Sequence, residues 1–263
     1  MSEVRSGAGW LEVAYEGPVA VMTISREHKH NALSSEILQE LETKLSLLQE
    51  DPAIRAVIIT GQGERAFIAG NDIDQLAISE PYGAFALMEA GQRLVCQLRN
   101  YSKPTVAMVN GYALGGGLEL ALACDFIIAS SKASFGFPEI SLNTFPGWGG
   151  TQLAVRAVGL TRAKEMIMSG SRYSAEEALH IGLVNRLYEP SVLYVKTLDF
   201  LNPLIKHDAN CLGLAKRLCN GAEDWPLADG LRFEAALYSV NFSRQEARDG
   251  LKAFSNKPRK RND

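Results

Sequence analysis

Apolar positions change their period twice within the first sixty residues. Trp10 to Tyr15 and Val19 to Ile24 are rich in β-branched and aromatic residues and flank Gly17-Pro18, which predicts a hairpin of two strands. Ile37, Leu38, Leu41, Leu45 and Leu48 then recur at three- and four-residue steps after Ser34-Ser35, a helix start signal followed by one apolar face. Ala56 to Thr60 is a short unbroken apolar run ended by Gly61-Gln-Gly63, the mark of a buried strand. The same beat returns at Thr105 to Val109 and at Phe126 to Ala129.

Strands alternating with helical stretches predict an α/β fold, and short strands recurring after glycine turns favour stacked ββα units over one doubly wound sheet. Ser174-Ala-Glu-Glu177 has the spacing of a capping box, so a helix is expected from there to just before Gly182, with a strand over Leu183 to Leu187. Beyond about Pro190 the strand signal fades. The chain therefore divides into a core, 1–190, and a mostly helical region, 191–263, with no linker or low-complexity stretch between them.

Composition narrows the function classes. A chain of 263 residues with 46% hydrophobic and 22% charged content can bury a large core. Its net charge of -3 gives no overall footprint for nucleic acid, and the basic residues that could meet phosphate cluster at the end, in Lys252, Lys257, Arg259, Lys260 and Arg261. Cys96, Cys124, Cys211 and Cys219 form no C-x-x-C pair and have no histidine beside them, so no metal site is expected and the thiols read as reduced. No apolar run approaches the roughly 18 residues of a membrane span. With no presequence pattern at Met-Ser-Glu-Val-Arg, the expected location is the cytoplasm.

Two acids stand where charge is costly. Glu119 lies in Gly115-Gly-Gly-Leu-Glu-Leu-Ala-Leu-Ala-Cys124, and Glu139 follows Phe135-Gly-Phe-Pro138; both runs are otherwise small and apolar, which suggests acid/base chemistry. Gly116 precedes the helical run Leu118 to Ala123, so its N–H can face a ligand at a helix start, although tight turns alone also explain a triple glycine. His28, His30, His180 and His207 stand near no nucleophile and read as loop or surface residues. No G-x-S-x-G elbow and no convincing G-x-G-x-x-G fingerprint appears.

Several ordered motifs carry a resemblance. From Asn31-Ala-Leu33 through Ala69-Gly-Asn-Asp72, the triple glycine, Pro138-Glu139, Pro146-Gly-Trp-Gly-Gly-Thr-Gln152 and Gly182-Leu-Val184 to the basic C-terminus, the chain resembles the crotonase superfamily, the enoyl-CoA hydratases and isomerases. The resemblance implies a crotonase-type spiral of stacked ββα units with a C-terminal helical trimerisation region, assembled as a homotrimer or dimer of trimers. It implies an acyl-CoA thioester substrate, no cofactor beyond the CoA of that substrate, no metal, no nucleic acid and no membrane. Closest is a hydratase, a lyase of fatty-acid metabolism that interconverts trans-2-enoyl-CoA and 3-hydroxyacyl-CoA. By resemblance Glu119 activates water, Glu139 exchanges the proton at the second carbon, and the N–H groups of Asn71 and Gly116 form an oxyanion hole. The stretches holding His30, Ala32, Ala69, Asp72 and Ile73 would lie along CoA, Gly147 would line the pocket, and Lys257 would reach the CoA phosphates of a neighbouring subunit.

Departures and alternatives remain at this level. Asn71 stands where alanine is common, Gly-Asn-Asp also occurs in an isomerase branch, and Asn143 replaces a glycine before Thr144. Trp148, bulkier than the usual alanine, either narrows the acyl pocket or packs beneath the loop. Asp72 reads equally as a helix cap. The rival functions are a double-bond isomerase and a non-catalytic RNA-binding or scaffold relative, the latter disfavoured by the acidic balance.

Overall fold

The computed structural model describes residues 10–255. The hairpin forms as expected, β1 (Trp10–Glu16) antiparallel to β2 (Val19–Ser25), with Gly17 at φ 58° in the turn. α1 (Ser35–Glu50) buries the anticipated stripe of Ile37, Leu38, Leu41, Leu45 and Leu48. The chain then repeats a pattern of strand, strand, helix. β3 (Ala56–Gly61) and β4 (Ala66–Ile68) lead into α2 (Ile73–Ala77) and α3 (Pro81–Arg99). β5 (Thr105–Val109) and β6 (Tyr112–Leu114) lead into α4 (Gly116–Ala123). β7 (Phe126–Ser130) and β8 (Ser134–Gly136) lead through a 3-10 turn, Pro138–Leu142, into α5 (Gly150–Val158) and α6 (Leu160–Ser169). β9 (Arg172–Ser174), α7 (Ala175–His180), β10 (Arg186–Tyr188) and α8 (Pro190–Leu204) follow.

In each repeat the first strand enters a six-stranded sheet, ordered β1-β2-β3-β5-β7-β10, and the second enters a four-stranded sheet, ordered β4-β6-β8-β9. One strand to each sheet per turn makes the chain climb as a spiral, the ββα stacking that the sequence implied. All pairings of the larger sheet beyond the hairpin are parallel. Parallel sheets are covered on both faces, and successive side chains alternate between them. Ala20, Met22, Ile24, Val57, Ile59, Ala107 and Val109 face the main core, while Val19, Val21, Ala56, Ile58, Val106 and Met108 pack with Leu193 and Leu201 of α8. That double coverage is why these strands read as unbroken apolar runs.

The Ser174 capping box is present, with Glu177 N–H donating to Ser174 Oγ at 3.2 Å and Ser174 N–H to Glu177 Oε2 at 2.8 Å. The strand expected over Leu183 to Leu187 begins only at Arg186. Leu183 and Val184 both donate to Ala178 O, closing the end of α7, so their N–H groups are not free for a ladder.

The chain separates into two compact units, one ending at His207 and the other beginning at Asp208. α8 belongs to the first. The second is helical: α9 (Ala209–Gly221), α10 (Leu227–Phe242) and α11 (Gln245–Ser255). Asp208 caps α9 through Cys211 N–H at 2.9 Å and pairs with Arg244 at 2.8 Å, and Trp225 stacks edge-on to Phe233. Among the described residues, no helix is long and apolar enough to cross a membrane.

Candidate active site

Glu119 sits in the first turn of α4 and is 1% exposed. Its helix can start where it does because Gly115 adopts φ 51°, ψ -125°, a backbone state that a β-carbon disfavours. Glu119 Oε1 accepts from the Trp148 N–H and the Gly150 N–H, both at 2.7 Å. The second donor depends on close approach, since a β-carbon on Gly150 would sit 3.0 Å from Glu119 Cγ and 2.7 Å from Phe137 Cε1. Burial raises the Glu119 carboxyl to about 7; the Gly150 N–H opposes this, the Glu139 charge adds to it, and the Trp148 and Gly149 N–H groups again oppose.

Glu139 comes from the 3-10 turn that follows β8. That turn ends at Asn143 with φ 58°, a left-handed state that explains why glycine is the alternative residue there and why asparagine is tolerated. A β-carbon on Gly115 would meet Glu139 Oε1 at 2.7 Å, so the carboxyl lies against the start of α4. Glu139 Oε2 is buried with no hydrogen-bond partner among the described residues, and burial raises this carboxyl as well. A buried carboxyl and a half-buried one thus share one corner, and one oxygen is left to meet a ligand or water.

Gly116, the first residue of α4, offers an N–H that no preceding turn can satisfy. Asn71 lies in a one-residue parallel bridge with Leu33: Leu33 N–H donates to Gly70 O and Asp72 N–H to Leu33 O, so the Asn71 N–H points to the opposite side. Among the described residues neither N–H donates to a backbone carbonyl outside helices and strands. The two residues are neighbours, with a β-carbon on Gly116 placed 3.0 Å from Asn71 Oδ1 and one on Gly70 placed 3.8 Å from Gly116 N.

The remaining candidates fall into three groups. Ala69 N–H donates to His30 O at 3.1 Å, so the loops holding His30, Ala32 and Ala69 run together; His30 itself is at φ 51°. Ile73 is 57% exposed at the start of α2. Asp72 caps α2 through Asp74 N–H at 3.2 Å and pairs with Arg26 at 2.6 Å, both partners being buried. Burial alone would raise the Asp72 carboxyl, but hydrogen bonding and charge from Arg26 outweigh it and hold it low. Gly147 O accepts from Gln92 Nε2 at 2.8 Å, and Trp148 is 2% exposed, its ring edge 2.9 Å from where a β-carbon on Gly116 would be. Lys257 lies outside the described residues. Among the described residues no group of three His, Cys, Asp or Glu is placed to hold a metal ion.

Three supporting roles have no signal in the sequence, although Asn31 and Gly150 stand within the motifs quoted above: Gly150 supplies an N–H to Glu119, Arg26 fixes the Asp72 loop, and Asn31 ties its own loop to the strands that follow. The Asn31 side chain is 1% exposed and donates to Gln62 O at 3.0 Å and Ala66 O at 2.8 Å while accepting from Arg26 N–H. Nothing local in the sequence signals partners so far along the chain.

Comparison with known proteins agrees with the geometry. The enoyl-CoA hydratase/isomerase family model matches residues 14–262. The short-chain-enoyl-CoA hydratase of Clostridium acetobutylicum is 38% identical over 242 residues, 92% of this chain and 93% of that protein. The crotonyl-CoA hydratase of Syntrophomonas wolfei is 35% identical over 242 residues, covering 92% and 93%. A crystal structure of an enoyl-CoA hydratase from Bacillus anthracis superposes with a TM-score of 0.89 at 35% identity, covering 94% of this chain and 96% of that one. The chain belongs to the enoyl-CoA hydratase/isomerase family, the crotonase superfamily, and lies close to its enoyl-CoA hydratases.

Proposed function

We propose that this protein is an enoyl-CoA hydratase that adds water across the double bond of a trans-2-enoyl-CoA. The observation that carries the reading is the pair of carboxyls, Glu119 buried and held by two N–H groups at 2.7 Å and Glu139 half-buried with an Oε2 that has no partner among the described residues, beside the Asn71 and Gly116 N–H groups. The thioester carbonyl accepts from Asn71 N–H and Gly116 N–H, which stabilise the charge that grows on its oxygen; one such donor is typically worth about 10²–10³ in rate. Glu119, ionised, takes a proton from water as that oxygen bonds to the third carbon. The double-bond electrons move toward the carbonyl, and Glu139, protonated, delivers its proton to the second carbon. Oxygen and two hydrogens are added in all, and the carboxyls exchange protonation states.

A double-bond isomerase needs only one carboxyl to carry a proton between carbons. The second buried acid, tied to the Trp148 and Gly150 N–H groups, supports hydration over that reading. The chemistry calls for no metal or redox group, and CoA arrives with the substrate. Exposed Leu227, Leu231, Tyr238 and Val240 on α10 support subunit contacts in a trimer or a dimer of trimers. Four cysteines that form no disulfide among the described residues support a reducing compartment such as the cytoplasm.

The first test is loss of the conjugated thioester absorbance with trans-2-butenoyl-CoA; a protein that leaves it unchanged contradicts the proposal. The pH profile is a second. Because Glu119 acts ionised and is raised to about 7, kcat/KM should fall as pH drops below about 7. An acid limb that is absent, or that lies in the ordinary carboxylate range, contradicts the assignment of Glu119 as the base.

A further inference from the structure

Trp148 occupies a place that a turn residue of the Pro146-Gly-Trp-Gly-Gly loop has no local reason to fill. Its indole lies on α3 at Gly91, where a β-carbon would overlap Cδ2, Cε2 and Nε1. Glycine inside a helix is unfavourable against alanine, so Gly91 has a use there, and the indole is what it admits. From the other side Met88 Sδ lies where a β-carbon on Gly147 would be. Among the described residues the indole N–H has no hydrogen-bond partner, so shape holds the ring.

Beyond that ring lies a cavity of about 10 Å³ bordered by Asn71, Trp148, Leu38, Leu76, Leu87 and Met88. A volume of this order accepts about one water molecule or a methyl group. Asn71 and Trp148 border both this cavity and the Gly116 corner. A thioester whose carbonyl meets Asn71 and Gly116, and whose third carbon meets the carboxyls, has ahead of its tail this small space, apolar on the side of Trp148, Leu87 and Met88 and polar at Ser35, Asp72 and Gln75. Leu87 and Met88 are only half-buried and can shift, but the indole is backed by helix backbone and cannot retreat.

We infer that Trp148 is the chain-length stop of this enzyme, restricting it to enoyl thioesters that carry about a methyl group beyond the third carbon. The inference rests on the hydratase reading and adds a substrate class to it. Gly91 is its supporting partner, because only a residue without a β-carbon lets the indole lie where it closes the cavity.

The test is kcat/KM for trans-2-enoyl-CoAs of four, six and eight carbons with wild type, Trp148→Ala and Trp148→Phe. Wild type should lose roughly tenfold or more from four to eight carbons, the scale on which a pocket judges added methylenes. Trp148→Ala should flatten or reverse that ratio, mainly through KM for the longer chains, and Trp148→Phe should improve the six-carbon ratio. If the alanine variant does not fold, the phenylalanine variant, which keeps an aromatic filler, decides. Equal rates at all lengths in wild type, or a wild-type ratio in the folded variants, overturns the role of Trp148. Absence of hydration at every length overturns the hydratase reading instead.

Discussion

Glu119→Gln and Glu139→Gln each lower the turnover for hydration by about a hundredfold or more, with acyl-CoA affinity nearly unchanged, because each removes one proton-transfer step and little volume. The two variants differ in stability. Glu119 is raised from its ordinary range to about 7, so between those values the folded protein holds a proton that the unfolded chain has lost, and stability falls as pH rises through the window. Glutamine removes that liability while its amide oxygen still accepts from Trp148 and Gly150. Glu119→Gln should therefore melt no lower than wild type at pH 8, as read by thermal denaturation, despite its lost activity. A variant that melts well below wild type, or hydrates at near-normal rate, contradicts the assignment.

Asp72→Ala destabilises the protein by about 3–5 kcal/mol, the usual result of stranding one member of a buried ion pair. The stranded group is Arg26, whose side chain is 9% exposed and otherwise donates to Ala32 O at 3.1 Å. Loss of the Asp72 cap on α2 adds to the effect and loosens the loop that aims the Asn71 N–H. Lys29→Ala is the control. Its ammonium pairs with the exposed Asp74 and lies 4.0 Å from Asp72 Oδ1, and because it is solvated its removal should leave stability nearly unchanged. Denaturant melts that rank the two equally contradict this account. Because Asp72 is held low in the fold, its contribution is full above the ordinary carboxylate range and is lost as pH falls through the folded-state value.

The first hairpin, α1 and the central strands were legible because their burial follows simple periods: a single stripe on α1, and unbroken apolar runs where both sheet faces are covered. The second sheet was not. β4, β6, β8 and β9 are three residues each, too short for any period, and exist because their partners arrive from elsewhere in the chain. α3 was obscured by Gly83 and Gly91, and the second of these makes sense only once Trp148 is seen against it. At the site, Glu119 and Glu139 stood out as acids in apolar surroundings. Their surroundings did not: Gly150 is 31 residues from Glu119, and the Arg26 partnership with Asp72 joins two loops with no shared pattern.

Hydration and double-bond migration differ in one atom, the oxygen that water contributes. With trans-2-enoyl-CoA in water enriched in heavy oxygen, the protein should release 3-hydroxyacyl-CoA carrying the label at its third carbon. Glu119→Ala should suppress that label more strongly than it suppresses proton exchange at the second carbon, the step proposed for Glu139. Rapid conversion of a 3-enoyl-CoA to a 2-enoyl-CoA, with no labelled hydroxyacyl product from wild type, would contradict hydration and assign the carboxyl pair to isomerisation.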